Sequence, residues 1–458
     1  MMASLRPRLT AIALLLPAVS ARHLRSLTPL SQLSSMPVIQ RRTCAIVARG
    51  GRGRKRRDKG PPREPRTLQH SLDGQPPEIA RTYPEQYDEL LSTKVGLLET
   101  LLTDATGGGP LPPMEVFESQ RENFRMRASF ATWREEEKIY YIMFNKDDER
   151  RMPHAVPSYP MGSKRINELM PLVLAAVETD PALNQRIADI RFVTTLLGDA
   201  LVVMTYNRPI DKDSSWEDAA YKLAEVLGLG PAMQPVKIVG RSRKVKIVVN
   251  GETVQEKLTV GGGRGECTYT QTEGAFSQPN AGVCEQMLTW AFDATRGLGD
   301  TDLCELYCGN GCFTVALAPQ FRKVVATELS KASVDLARQN LHANAVENVN
   351  VAKMSAEEFV QAYDGMHFNR LDEAGIDMRE SKPLMKTLFV DPPRAGLDQT
   401  CRTLAQQFER VVYISCNPET LARDVAELSA THAVRRIAAF DQFPYTPHLE
   451  AGVLLERR

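Results

Sequence analysis

Asp302-Leu303-Cys304-Glu305-Leu306-Tyr307-Cys308-Gly309-Asn310-Gly311-Cys312-Phe313-Thr314-Val315-Ala316-Leu317-Ala318 is the stretch that decides the fold. It reads as a buried strand running into a turn with two glycines and then a helix. Glycines at such a turn let the backbone approach a ligand closely at the carboxyl end of a first strand. The next apolar run, Lys323-Val324-Val325-Ala326-Thr327-Glu328, is a strand ending in an acid about 20 residues after the turn, where a carboxylate can accept hydrogen bonds from both hydroxyls of a ribose. From about residue 283 onward, helix and strand alternate, which is the signature of a parallel α/β sheet.

The turn is shorter than the dinucleotide fingerprint G-x-G-x-x-G, and no G-x-x-x-x-G-K-[ST] occurs. Those absences favour a mononucleoside-like ligand such as S-adenosylmethionine over NAD or ATP. Cys304, Cys308 and Cys312 stand at C-x3-C-x3-C, a spacing that matches no common zinc or iron–sulfur pattern, so no metal is assigned.

Three later features deliver polar groups to the same sheet edge. Leu388-Phe389-Val390-Asp391-Pro392-Pro393-Arg394 is a strand that stops at an acid, and the two prolines force an extended exit. Val411-Val412-Tyr413-Ile414-Ser415-Cys416 is another, with Cys416 at its end before Asn417-Pro418. Glu450 follows Phe440-Asp441-Gln442-Phe443-Pro444-Tyr445 and precedes a final strand over 452–455. An isolated cysteine is usually a packing residue, but a strand terminus beside a cofactor turn favours a nucleophile. Carbon 5 of uracil is a poor nucleophile until a thiolate adds at carbon 6, and a carboxylate must later remove the carbon 5 proton. Cys416 and Glu450 suit those two roles.

Composition bounds the rest. A chain of 458 residues needs two or three domains, and 43% hydrophobic with 25% charged residues is ordinary for a globular protein. No run of about 20 apolar residues occurs, so no membrane span is expected. The first sixty residues carry thirteen Lys or Arg against one acid, Asp58, leaving 44 basic and 55 acidic residues for the body. Nucleic acid would therefore have to meet local patches rather than a global field. Residues 1–57 lack any acid and are rich in Arg, Ser, Leu and Ala, the composition of an organellar transit peptide. We expect a disordered basic segment over 1–75 and an organellar location, the mitochondrion first, with plastid, nucleus, cytoplasm or secretion as rivals. The eight cysteines are not spaced as a disulfide framework and are expected to be reduced.

Residues 80–270 read as an α+β domain. A helix is expected over 80–105, where Leu90, Leu91, Val95, Leu97, Leu98 and Leu101 approximate a 3.6 period. Strands are expected over 124–130, 139–144 and 200–206, and a helix over 166–177. Arg125 and Arg127 share a strand face that suits phosphate contacts, although a solvated face is the blander reading, and the basic run 237–246 is weighed the same way. The charged segment 363–383 reads as surface loop.

The stretches SQPNAGVCEQML, ELYCGNGCFTVALA, VVATELSKASVDLARQN, LFVDPPRAGLD, YISCNPETLARD and FDQFPYTPHLEAGVLL resemble the bacterial tRNA (uracil-5-)-methyltransferase family. The resemblance reaches upstream through FRMRASF and covers residues 80–458. It implies a Rossmann-like S-adenosylmethionine-dependent methyltransferase domain over 271–458 behind an RNA-binding α+β domain over 80–270. It implies methylation of the T-loop uridine of tRNA, with Cys416 as nucleophile and Glu450 as proton acceptor. It places Gln278, Tyr307, Glu328 and Asp391 around the cofactor, with the T-arm of tRNA as partner and no obligate protein partner. Related rRNA enzymes often carry a four-cysteine iron–sulfur cluster. With no cysteine between 44 and 267, no cluster is expected here and tRNA is favoured. An rRNA or broad-specificity uridine methyltransferase and a tRNA-folding chaperone are the rival readings. Where the family usually has Asn at the end of the turn, this chain has Cys312.

Overall fold

The computed structural model describes residues 66–71, 74–145, 148–210, 214–228 and 236–458; the targeting and disorder expectation for residues 1–75 lies outside them up to residue 65. Beyond it Leu68 packs with Ile142 and Ala155, and Gln69 exchanges backbone hydrogen bonds with Pro153 and Ala155, so the expected disordered segment runs too long. The larger sheet has eight strands. From one edge its strands are Met114–Phe117, His432–Phe440, Glu450–Arg457, Arg410–Ser415, Met385–Val390, Asp302–Leu306, Lys323–Glu328 and Val349–Lys353. All neighbours are parallel except that Glu450–Arg457 runs antiparallel to both strands beside it. After the edge strand Met114–Phe117, the chain enters the middle of this sheet at Asp302–Leu306, builds outward to Val349–Lys353, then returns to the other side of Asp302–Leu306 at Met385–Val390. That reversal makes a crevice outside the carboxyl ends of the two central strands.

Local chemistry sets the turns that matter. Asn417 caps the helix Pro418–Leu428, its side chain accepting from the Glu419 N–H, while Pro418 occupies the first helical position, where its missing N–H costs nothing. The strand Arg410–Ser415 thus becomes a helix at once, with Cys416 at the bend. Asn280 caps Ala281–Ala294 the same way, accepting from Val283.

The second sheet has seven strands in the order Pro153–Ala155, Lys138–Phe144, Arg127–Glu135, Ile187–Thr194, Ala200–Tyr206, Lys237–Ser242 and Val245–Val249. The expected strand 200–206 is buried on both faces. Ala200, Val202, Met204 and Tyr206 pack with the helices Lys164–Thr179 and Ser214–Gly228, while Leu201 and Val203 face a smaller cluster with Val193, Val239 and Val254.

Two segments from the first part of the chain are built around the eight-stranded sheet. The helix Tyr87–Ala105 buries Tyr87, Leu91, Leu98 and Leu102 against Leu388, Val411, Leu421 and Ile437. Leu90 and Leu97, counted in its apolar period, are 37% and 54% exposed, and Lys94 takes a place on the buried face instead. The strand Met114–Phe117 pairs with His432–Phe440. A hairpin, Thr253–Val260 with Gly265–Thr272, lies against the helices Ala281–Ala294 and Lys331–Ala343, burying Leu258, Val260, Cys267 and Tyr269. Its inward row, Val254, Glu256, Leu258 and Val260, contains a carboxylate, which hides the alternation from sequence reading. The segment 363–383, expected as loop, folds into the short helices Asn369–Glu373 and Met378–Ser381, each too brief to show a period. Among the described residues no helix is long and apolar enough to cross a membrane.

Candidate active site

Every sequence-predicted site residue lines one cavity of about 690 Å³ at the crevice: Gln278, Tyr307, Glu328, Asp391, Cys416 and Glu450. Tyr307, Asp391 and Cys416 each follow the last residue of a parallel strand, and Glu328 ends one. Glu450 reaches the same edge because its strand is antiparallel. Its first residues, Glu450 and Ala451, pair with Phe440 and Ser415, the last residues of the strands on either side.

The glycine turn is fixed from several sides. Tyr307, Gly309 and Gly311 all have positive φ, at 63°, 56° and 80°. The Cys308 N–H donates to the Thr327 carbonyl at 3.0 Å, and the Asn340 amide donates to the Asn310 carbonyl at 2.9 Å. Glu328 accepts from the N–H of Gly309 at 3.2 Å and of Ser330 at 2.7 Å, which orients its carboxylate at the cavity.

Gln278 is nine-tenths buried and its Oε1 has no protein partner. Its loop is held by Arg127, whose guanidinium donates to the carbonyls of Ala275 at 3.0 Å and Ser277 at 2.9 Å. Arg127 is thus half-buried and committed to that loop rather than to a solvated face, and Arg125 Nε donates to the Arg127 carbonyl at 3.1 Å. In the basic run, Lys237 is paired with Asp199, Arg241 with Glu273 and Lys246 with Glu252.

The Cys416 bend and the Asp391 loop are tied together. The Asn417 amide and the Thr420 hydroxyl donate to the Arg394 carbonyl at 3.1 and 3.2 Å. Asp424, fully buried, accepts from the Leu397 N–H and the Tyr413 hydroxyl and is paired with Arg402 and Arg423. Glu450 depends on the loop 441–449. Lys94, buried in its helix, pairs with Asp441 and donates to the carbonyls of Phe443 at 3.4 Å and His448 at 3.3 Å. Gln442 accepts from the Asn280 N–H at 2.8 Å, and the Tyr445 hydroxyl donates to the Arg121 carbonyl at 2.7 Å.

Burial makes this a site of raised pKa values. It lifts Asp391 to about 7. Burial first, then the Asp391 charge, holds Glu450 well above the carboxylate range, with Arg394 opposing. The Cys416 thiol is pushed up to about 11 by burial, then by Glu450 and Asp391, again against Arg394. A thiol, two carboxyls of raised pKa and a cation therefore share this site.

Sequence reasoning missed Glu305 and Glu256. Glu305 lines the cavity, is lifted to about 8 mainly by burial, and has an Oε2 without a partner. Its signal was an acid inside an apolar strand. Glu256, lifted to about 8 by burial, lines the same cavity, paired across the hairpin with Tyr269. Arg394 was quoted within a motif but carried no role. Among the described residues no three His, Cys, Asp or Glu side chains converge as metal ligands.

The sequence model of the family described as tRNA (Uracil-5-)-methyltransferase matches residues 86–458. The chain is 48% identical over 376 residues to the tRNA/tmRNA (uracil-C(5))-methyltransferase of Ectopseudomonas mendocina, covering 82% of this chain and 98% of that protein. It is 50% identical over 378 residues to that of Pseudomonas aeruginosa, with the same coverage. The crystal structure of Pyrococcus abyssi tRNA (uracil-54, C5)-methyltransferase in complex with S-adenosyl-L-homocysteine superposes with a TM-score of 0.57 at 20% identity, covering 81% of this chain and 83% of that one. That likeness concerns the fold.

Proposed function

Because the chain belongs to the tRNA (uracil-5-)-methyltransferase family, we propose that it uses S-adenosylmethionine to methylate carbon 5 of the T-loop uridine of tRNA, position 54 as in the Pyrococcus relative's name. The observation that carries this reading is Cys416 and Glu450 on one cavity wall, with the glycine turn and Glu328 lining the same cavity. The residues fit the cofactor. Glu328 offers a carboxylate to a ribose, the turn admits close backbone approach, and the orphaned Oε1 of Gln278 can accept from an ammonium group. Tyr307 and Asp391 complete its surroundings. When bound, S-adenosylmethionine supplies an electrophilic methyl carbon.

The chain's own residues do the rest. Cys416 sulfur adds to carbon 6, and the ring's π electrons move toward the carbonyl oxygen, which makes carbon 5 nucleophilic. After carbon 5 is methylated, Glu450 removes its proton, the carbon–sulfur bond breaks and the ring double bond re-forms. A carboxylate of raised basicity is suited to that proton. We propose RNA contact, with the T-arm as the partner, for the α+β part of the chain over 80–270.

The test uses labelled cofactor and a T-loop stem-loop, with a second RNA carrying cytidine at the target. Cys416→Ala should lose both turnover and covalent RNA adduct. Glu450→Gln should add to the base without releasing it, leaving a protein–RNA species on a denaturing gel. Methylation by Cys416→Ala, or no adduct with Glu450→Gln, would contradict the assigned roles.

For residues 1–57, acid-free and basic, we propose mitochondrial import. A fluorescent protein carrying residues 1–75 should enter mitochondria, and diffuse cytosolic signal would sink that reading.

A further inference from the structure

Cys312 is the residue that departs from the family's usual Asn. Its sulfur lies 3.8 Å from that of Cys284, on the facing helix Ala281–Ala294. Both residues line the cavity; Cys284 is buried and Cys312 half-buried. We propose that Cys284 and Cys312 are a modification site, a thiol pair that a peroxide converts reversibly to a disulfide, closing the glycine turn to the nucleoside cofactor. The inference rests on the cofactor reading above and adds its regulation.

The geometry explains the consequence. A disulfide needs its sulfurs about 2.05 Å apart, so these two must approach by about 1.8 Å. Cys312 opens the helix Cys312–Leu317 directly after Gly311, and the turn before it donates the Gly309 N–H that orients Glu328. Cys284 lies in the first turn of a helix capped by Asn280, two residues after Gln278. The bridge therefore draws together two backbone segments that both line the cavity. The Cys312 carbonyl is already tied by the Tyr269 hydroxyl at 2.8 Å, so the strain falls on the glycine turn rather than on the hairpin.

The step balances. Cys312 sulfur attacks one peroxide oxygen, the O–O bond breaks, water leaves and a sulfenic acid forms. Cys284 sulfur then displaces the sulfenic oxygen, forming the S–S bond and a second water. The two thiol protons end in the two waters, and two electrons pass from sulfur to peroxide. A dithiol reverses the bridge by exchange. Cys312 is the first to react because Cys284 is buried and its thiol is held high, by its contact with Cys312 and then by burial. Cys416, its thiol also raised, is a poor competitor.

The experiment takes the full chain, reduced, and measures S-adenosylmethionine binding by calorimetry before and after hydrogen peroxide, with the excess destroyed by catalase. Non-reducing peptide mapping should find Cys284 joined to Cys312, with the loss of two hydrogens. Affinity should weaken about tenfold or more and recover with dithiothreitol. Cys284→Ser should keep its own affinity through the treatment, and Cys267→Ser, which alters a third nearby thiol, should respond as the natural chain does. The proposal is overturned by a bridge mapped elsewhere, by no bridge, by a Cys284–Cys312 bridge that leaves affinity unchanged, or by Cys284→Ser losing affinity on oxidation. No binding by the reduced chain would instead break the cofactor reading, and the map would still decide whether the bridge forms.

Discussion

Alkylation of Cys416 by iodoacetamide, followed across pH without RNA, tests the electrostatics of the proposed nucleophile directly. Burial and the Glu450 and Asp391 carboxyls raise its thiol from 9.0 to about 11. Two units leave about a hundredfold less thiolate at pH 8 than an ordinary thiol would show. The more basic thiolate is also more nucleophilic, with a slope of about 0.4–0.5, which returns about six- to tenfold. The net expectation is a rate at pH 8 about 10- to 16-fold below that of an ordinary thiol. The rate should keep rising by about tenfold per pH unit until about pH 11.

Charge changes around the thiol should then move the midpoint in opposite directions. Glu450→Gln and Asp391→Asn each remove a group that raises it, so the midpoint falls and alkylation at pH 8 quickens. Arg394→Gln removes the opposing cation, so the midpoint climbs and alkylation slows. The assay is mass spectrometry of the Cys416 peptide at timed intervals, which separates it from the half-buried Cys312. A midpoint at or below 9 in the natural chain, or slower alkylation in Glu450→Gln, would refute the reasoning.

Two further perturbations probe the scaffold. Lys94→Met strands the Asp441 carboxylate, 1% exposed, without its cation; a broken buried pair should cost about 3–5 kcal/mol of stability in a denaturant titration. Because the same lysine holds the loop before Glu450, turnover should fall with RNA adduct accumulating, and an unchanged titration and turnover would disprove the clamp. Glu256→Gln tests a buried acid lifted to about 8, whose Oε1 accepts from Leu196 and Lys257 while Oε2 has no partner. A folded pKa raised above the unfolded one stabilises fully below about 4.5 and is lost as pH rises through about 8, a swing on the order of a few kcal/mol. Gln stays neutral and keeps the Oε1 acceptor, so its melting-temperature advantage should grow from pH 5 to pH 8; equal differences at both would refute the assignment.

What could be read from the sequence follows from how parallel sheets are built. Consecutive parallel strands deliver their carboxyl ends to one edge, so Tyr307, Glu328, Asp391 and Cys416 could be assigned to a common site from strand endings alone. Glu450 joined them because it opens the one strand that runs the other way. The supports were hidden because each depends on a partner with no local signal. Lys94 meets Asp441 from 347 positions away, and its helix period, read through Leu90 and Leu97, pointed the apolar face differently. Arg127 sits in a regular alternation that says nothing of the Ala275 and Ser277 carbonyls opposite it. Cys284 and Cys312 are 28 residues apart on different helices, and only the packing of those helices makes them a pair. The proposed reacting groups were legible because strand ends expose them. The groups that aim them were not, because their roles exist only across the fold. It follows that substitutions at Lys94 or Arg127, unremarkable by pattern, should strike catalysis and cofactor binding harder than changes at the exposed Leu90 and Leu97.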